Sequence, residues 1–207
     1  MPKTSSMSRV LPASLMVMFV LGPAWAQQSP TVRIRGTIEA VDGSLIAVKS
    51  REGTEMKVRL TDNVAVFGVA KTELSEIKQG SYIGVTAMPE PDGTQKAVAV
   101  HIFPEAQRGA AEGFRPWDQR PGSTMTNATA AETVKGTDGH NILVKYKDGE
   151  KKVVVPPDTP IVTFVAGDKS ELKTGAKIII FSATKKEDGT LEAARVNVGR
   201  DGITPPM

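Results

Sequence analysis

A chain of 207 residues with 26 Lys and Arg, 23 Asp and Glu, two His and no Cys excludes several kinds of protein at once. Without cysteine there is no disulfide, no thiolate nucleophile and no cysteine metal site. Residues 1–26 hold Lys3 and Arg9 and no acid, so without them 24 bases face 23 acids, a near balance that gives no argument for nucleic acid.

In chain order, the first predicted element is a signal peptide over 1–26. Lys3 and Arg9 form a positive start, Val10 to Gly22 a short apolar core, and Ala24-Trp25-Ala26 a small-residue cleavage site. The core is too short to span a bilayer, which needs about 20 apolar residues. Every later apolar run is broken by charge. The expectation is an exported, periplasmic chain with no membrane insertion after cleavage, which excludes a permease role.

From residue 31 the apolar period is two. Val32, Ile34, Ile38 and Ala40 alternate with polar residues, as do Met56, Val58 and Leu60, and later Ile142, Val144 and Tyr146. That pattern predicts half-buried antiparallel strands. Between them stand DG and EG pairs, which supply the positive φ of tight turns and account for Asp42, Asp92, Asp138, Asp148 and Asp188. One short helical turn is expected in ELSEIKQG and another in SELKTG, each closed by glycine.

The chain also compares with itself. Residues 40–58 match 136–154 at an offset of 96, SEIKQG matches SELKTG, and Asp92-Gly93-Thr94 matches Asp188-Gly189-Thr190. Ordered matches of this kind indicate a duplicated unit. The expected fold is all-β: two tandem small OB-like barrels over 31–103 and 131–199, an irregular connector over 104–130 and a tail over 200–207.

The hairpin GTIEAVDG with LIAVKS, the SELKTG turn and the closing DGTLEAARV resemble a family of exported bacterial tandem small-barrel proteins of unknown function. GFRPWD, PGSTMTNA, VVVPPDTPIVTF and GRDGITPPM resemble its subgroup often labelled "metal ABC transporter permease". The resemblance implies a fold and a compartment. It implies no activity, catalytic residue or cofactor.

The connector is the best candidate site. Phe114, Arg115, Trp117, Asp118, Arg120 and Met125 concentrate the aromatic and arginine groups typical of binding hot spots, and Trp117 beside Arg115 or Arg120 can form a cation–π pair. Either Phe114 and Trp117 dock the connector between the barrels, or they form an exposed loop for an envelope protein or small ligand. A non-enzymatic binding module follows. One alternative is soft-metal binding at Met88, His101 and Met125 near Trp117. Another is an envelope enzyme using Glu105, Glu112 and Asp118 with His101. Against the metal, Val98, Val100 and Ile102 form the inward set, which puts His101 on the other face as a surface histidine aligned with Asn197. His140 reads as a turn residue, and Phe67, Tyr82, Phe103, Tyr146, Phe164 and Phe181 as core.

Overall fold

The computed structural model describes residues 30–136 and 139–207, so the expected signal peptide and Asp138 lie outside the described residues. Among the described residues twelve strands follow one another: β1 Thr31–Asp42, β2 Leu45–Ser50, β3 Glu55–Lys71, β4 Tyr82–Pro89, β5 Gln95–Ile102, β6 Gly113–Pro116, β7 Thr124–Gly136, β8 Gly139–Tyr146, β9 Gly149–Val155, β10 Ile161–Ala166, β11 Lys177–Lys185 and β12 Leu191–Gly199. The fold is all-β, as its period-two pattern predicts. Among the described residues no helix is long and apolar enough to cross a membrane.

Five strands close a β-barrel in the order β12-β11-β1-β2-β3, with β12 returning to β3 in parallel. This ring draws its strands from both sides of the expected boundary at 104–130. Its interior is apolar, with Ile34, Ile38, Ile46, Val58, Ile178 and Ile180 among its buried residues. Ala40 is exposed rather than inward, because the register slips between Ile38 and Ala40 and turns the alternation over.

The other strands run β5-β4-β7-β8-β9, and β9 touches β5 in parallel at Gln95↔Val153 and Lys96↔Val154. They enclose a second apolar cluster around Ile83, Val85, Val100, Ile142, Val144 and Val153. Strand β10 lies between the sets, antiparallel to β3 and parallel to β5. A third cluster fills this junction: Val69, Val162, Phe164, Ile179 and Met207 are buried there, with Phe103, Phe181 and Ile203 packed against them.

The predicted helical turns are short 3-10 turns at Leu74–Glu76 and Lys169–Glu171. Glycines follow each, Gly80 at φ +88° and Gly175 at φ +87°, in the left-handed region that costs glycine least. The DGT turns also agree in detail. Asp92 and Asp188 each accept from the backbone N–H of the threonine two residues on at 2.9 Å and from its hydroxyl at 2.7 Å.

The connector is not irregular throughout, contrary to expectation. It holds a 3-10 turn at Glu105–Gln107, strand β6, and the first half of β7. Residues 123–128, Ser-Thr-Met-Thr-Asn-Ala, look like a polar loop but are all buried. From Thr124 to Asn127, β7 pairs with β4 on one edge and β6 on the other, so its backbone polar groups are satisfied by the sheet.

Candidate functional site

Where β6 and the Trp117 turn lean back toward the ring, a cavity of about 280 Å³ opens beside the third cluster. Its apolar wall is Trp117, Phe103, Phe164, Phe181 and Met125, and its polar groups include His101, Asn127, Asn197, Arg33, Arg115 and Arg195. Among the described residues no carboxylate lines it.

Trp117 is half-buried and held from the ring side. The Arg33 guanidinium lies 3.7 Å from its ring centroid, with Arg115 at 5.5 Å and Arg35 at 5.9 Å. The expected partner Arg115 is therefore present but more distant, and the nearest cation comes from β1. Arg120 is not over the ring. Its backbone instead shapes the turn, with its N–H donating to Ser123 Oγ and its carbonyl accepting from the same hydroxyl at 2.7 Å.

Asp118 fixes this docking. One oxygen accepts from Arg33 at 2.7 Å and the other from Arg35 at 2.7 Å. Partial desolvation raises the pKa of its carboxyl, but the two arginine hydrogen bonds and charges outweigh this and bring it to about 2. Phe114 parts company with Trp117: it is exposed, with the Lys151 ammonium 4.6 Å from its ring centroid.

His101 is the main correction. The expected surface histidine is 3 % exposed. The face assignment holds for Val100 and Ile102, which pack in the second cluster while His101 points the opposite way; Val98 is not in that cluster, because the register slips between Thr86 and Ala87 and Ala97 takes the inward place. That face, however, is covered by Phe103 and Phe164, whose rings meet the imidazole edge-on at 4.6 and 5.5 Å. Burial, with a smaller push from Arg115, lowers its pKa to about 3, so the imidazole is neutral at ordinary pH. The imidazole packs against Gly84, where a Cβ would come within 2.0 Å of Cε1 and Nε2. Asn197, the aligned residue, is also buried and reaches the same cavity, donating to the Ile179 carbonyl at 3.1 Å.

Four cavity groups hold a buried polar atom with no hydrogen-bond partner among the described residues: Arg33 Nε, His101 Nδ1, Trp117 Nε1 and Asn127 Oδ1. Buried polar atoms are paired in the great majority of cases, so four in the residues around one small cavity mark it out. Asn127 is oriented by its amide, which donates to the Ala110 carbonyl at 3.0 Å.

The soft-metal set is not brought together. Met125 and His101 line the cavity, but Met88 does not; its Cε lies against the Gly122 turn. Among the described residues no group of three or more His, Cys, Asp or Glu is placed to hold a metal. The connector carboxylates also go separate ways. Glu105 pairs with Arg108, Glu112 accepts from the Lys147 N–H at 2.9 Å, and Asp118 binds the two β1 arginines. His140 is half-buried near the tip of the β7–β8 hairpin.

Of the residues that line the cavity, Trp117, Arg115, Met125 and His101 are candidates in the sequence, whereas Arg33, Arg195, Asn127 and the aromatic wall are not. The alignment of His101 with Asn197 was the one signal that pointed at the cavity's floor. In comparisons with protein-family models, curated proteins and solved structures, none matches the chain.

Proposed function

We propose that this chain is an exported, non-enzymatic binding module of the periplasm, whose small ligand occupies the cavity between Trp117 and His101. The observation that carries this reading is one aromatic-walled cavity whose lining residues include four with a buried, unpartnered polar atom. A buried polar atom left unpaired costs about 1–3 kcal/mol, and a ligand toward which several of these side chains turn offsets that cost. An apolar pocket with a few convergent polar groups is the usual form of a small-molecule site. Export rests on the sequence of residues 1–26.

The same proposal includes a history for the site. The chain reads as two copies of one OB-like unit that have exchanged their second halves. Supporting this, β1-β2-β3 close with β12 and β11, while β7-β8-β9 pair with β5 and β4 in the same order. Each hairpin slips register at a matching place, after Ile38↔Val48 in one and after Ala130↔Val144 in the other. The cavity then lies where the exchanged halves meet.

The test uses the mature chain, whose one tryptophan is Trp117. Protein stripped by unfolding and refolding is mixed with a small-molecule extract of its native envelope and examined by native mass spectrometry. A one-to-one adduct that also shifts Trp117 emission is the expected result. An unchanged mass and an unchanged spectrum would sink the reading.

A further inference from the structure

Two of the cavity's cations have no charge partner. Arg33 shares Asp118 with Arg35, but among the described residues neither Arg115 nor Arg195 forms an ion pair. Arg115 is half-buried and held by backbone carbonyls, its Nη1 donating to Ala111 O at 2.8 Å. Arg195 lines the cavity from an exposed position, with its guanidinium 3.9 Å from the Phe67 centroid. A cleft lined by one sign of charge with low-dielectric walls attracts the opposite sign, and the planar guanidinium fork matches a carboxylate.

The remaining groups narrow the class. Trp117 Nε1–H and Arg33 Nε–H can only donate, so they call for acceptors. Asn127 Oδ1, fixed by its amide bond to Ala110, calls for a donor. The walls are rings of Phe103, Phe164 and Trp117, which favour a flat apolar body. A volume of about 280 Å³ lies just under the range for drug-sized ligands, roughly 300–1,000 Å³, and suits a single ring.

Resting on the binding-site reading above, we infer that the cavity takes a single-ring aromatic carboxylate, its carboxylate toward Arg115 and Arg195 and its ring against Phe103, Phe164 and Trp117. A ring hydroxyl adds a donor for Asn127.

Calorimetry and Trp117 emission of the mature chain at pH 7 test this with 4-hydroxybenzoate, benzoate, benzamide, benzylamine and inorganic phosphate. The expected order is 4-hydroxybenzoate above benzoate, then benzamide weaker by about tenfold or more, with no heat from benzylamine or phosphate. Arg195→Gln, at an exposed position, lowers benzoate affinity by about tenfold and leaves benzamide unchanged, with the urea midpoint measured beside it to check folding; Arg115→Gln does the same. Benzamide binding as tightly as benzoate overturns the anion, and phosphate matching benzoate overturns the ring. If no probe binds but the envelope extract still yields an adduct, the ligand class is wrong and the binding module stands. If neither probes nor extract bind, both fall.

Discussion

In the ring, β12 follows β3 from Val58 to Val69 through eight paired residues. In the neighbouring set, β5 meets β9 only at Gln95 and Lys96, and a step through Pro156, Pro157 and Pro160 then carries the chain to β10, where β5 pairs three more residues. Proline lacks the N–H a ladder needs, so the long strand of one set becomes two in the other. The interiors, by contrast, are alike: Ile46 pairs Val58 as Ile142 pairs Val153, and Val48 pairs Ile38 as Val144 pairs Ala130. The outward faces that meet at the cavity diverge again. Gly84 faces His101 in one set, and Ile179 faces Asn197 in the other. Inside a barrel every side chain answers to close packing, whereas the outer faces answer to whatever lies between the sets.

The largest expected effects test whether the two interiors belong to one cooperative structure. Ile38 and Ile142 are both 0 % exposed, one in each interior. Truncating a buried isoleucine to alanine costs about 2–5 kcal/mol. Strands β3, β10 and β5 run continuously between the sets, so both Ile38→Ala and Ile142→Ala should lower the midpoint of one shared transition in urea followed by fluorescence and circular dichroism. Two separated transitions, each moved by only one of the variants, would break the comparison into independent units.

A smaller effect isolates the divergent faces. His101 is buried with its pKa lowered to about 3, while an unfolded histidine titrates near 6.5. Between these values the unfolded chain binds the extra proton. Stability is therefore full above about 6.5 and is lost as pH falls toward 3. From pH 7 to pH 5 the loss is about 2 kcal/mol, the slope approaching 1.36 kcal/mol per unit below pH 6.5. His101→Asn, which places the ring's own residue type on β5, should remove this slope. Urea midpoints at pH 7 and pH 5 for both proteins check it; an equal slope in the variant would mean that other groups carry the pH dependence.

How much of this was legible in the sequence follows from the same contrast. The period of two placed Ile34, Ile38, Val58 and Val144 inside, because inner faces are apolar whichever strands pair. The DG turns and the glycines after the 3-10 turns were legible for a local reason, their positive φ. Which strand closes against which was not, since β12 meeting β3 is decided over more than a hundred residues of chain. His101 shows the limit most clearly: alternation gives the face of a strand but not what covers it. Thr124, Thr126 and Asn127 read as loop by composition and became a doubly paired strand by position. Trp117 announced itself by rarity, but its cation partner Arg33 was hidden among ordinary strand arginines 84 residues earlier.

The smallest effect concerns the segment that belongs to both sets. Strand β6 pairs with β7 of the second set, while Asp118, two residues beyond it, is bound by Arg33 and Arg35 of the ring. Asp118 is 52 % exposed, so solvent screens the pairs and their contribution to stability is about 0–1 kcal/mol. Its folded pKa lies below the ordinary carboxylate value, so that contribution is complete above pH 4 and fades as pH falls toward 2. Asp118→Asn should thus barely move the urea midpoint at pH 7. Its consequence is local: with the carboxylate gone, Arg33 loses the partner that holds it over Trp117, and the indole becomes more accessible. Acrylamide quenching of Trp117 should rise in Asp118→Asn while global stability stays within about 1 kcal/mol. Unchanged quenching would mean that the β6–β7 pairing alone places the tryptophan, and the connector would then belong to the second set only.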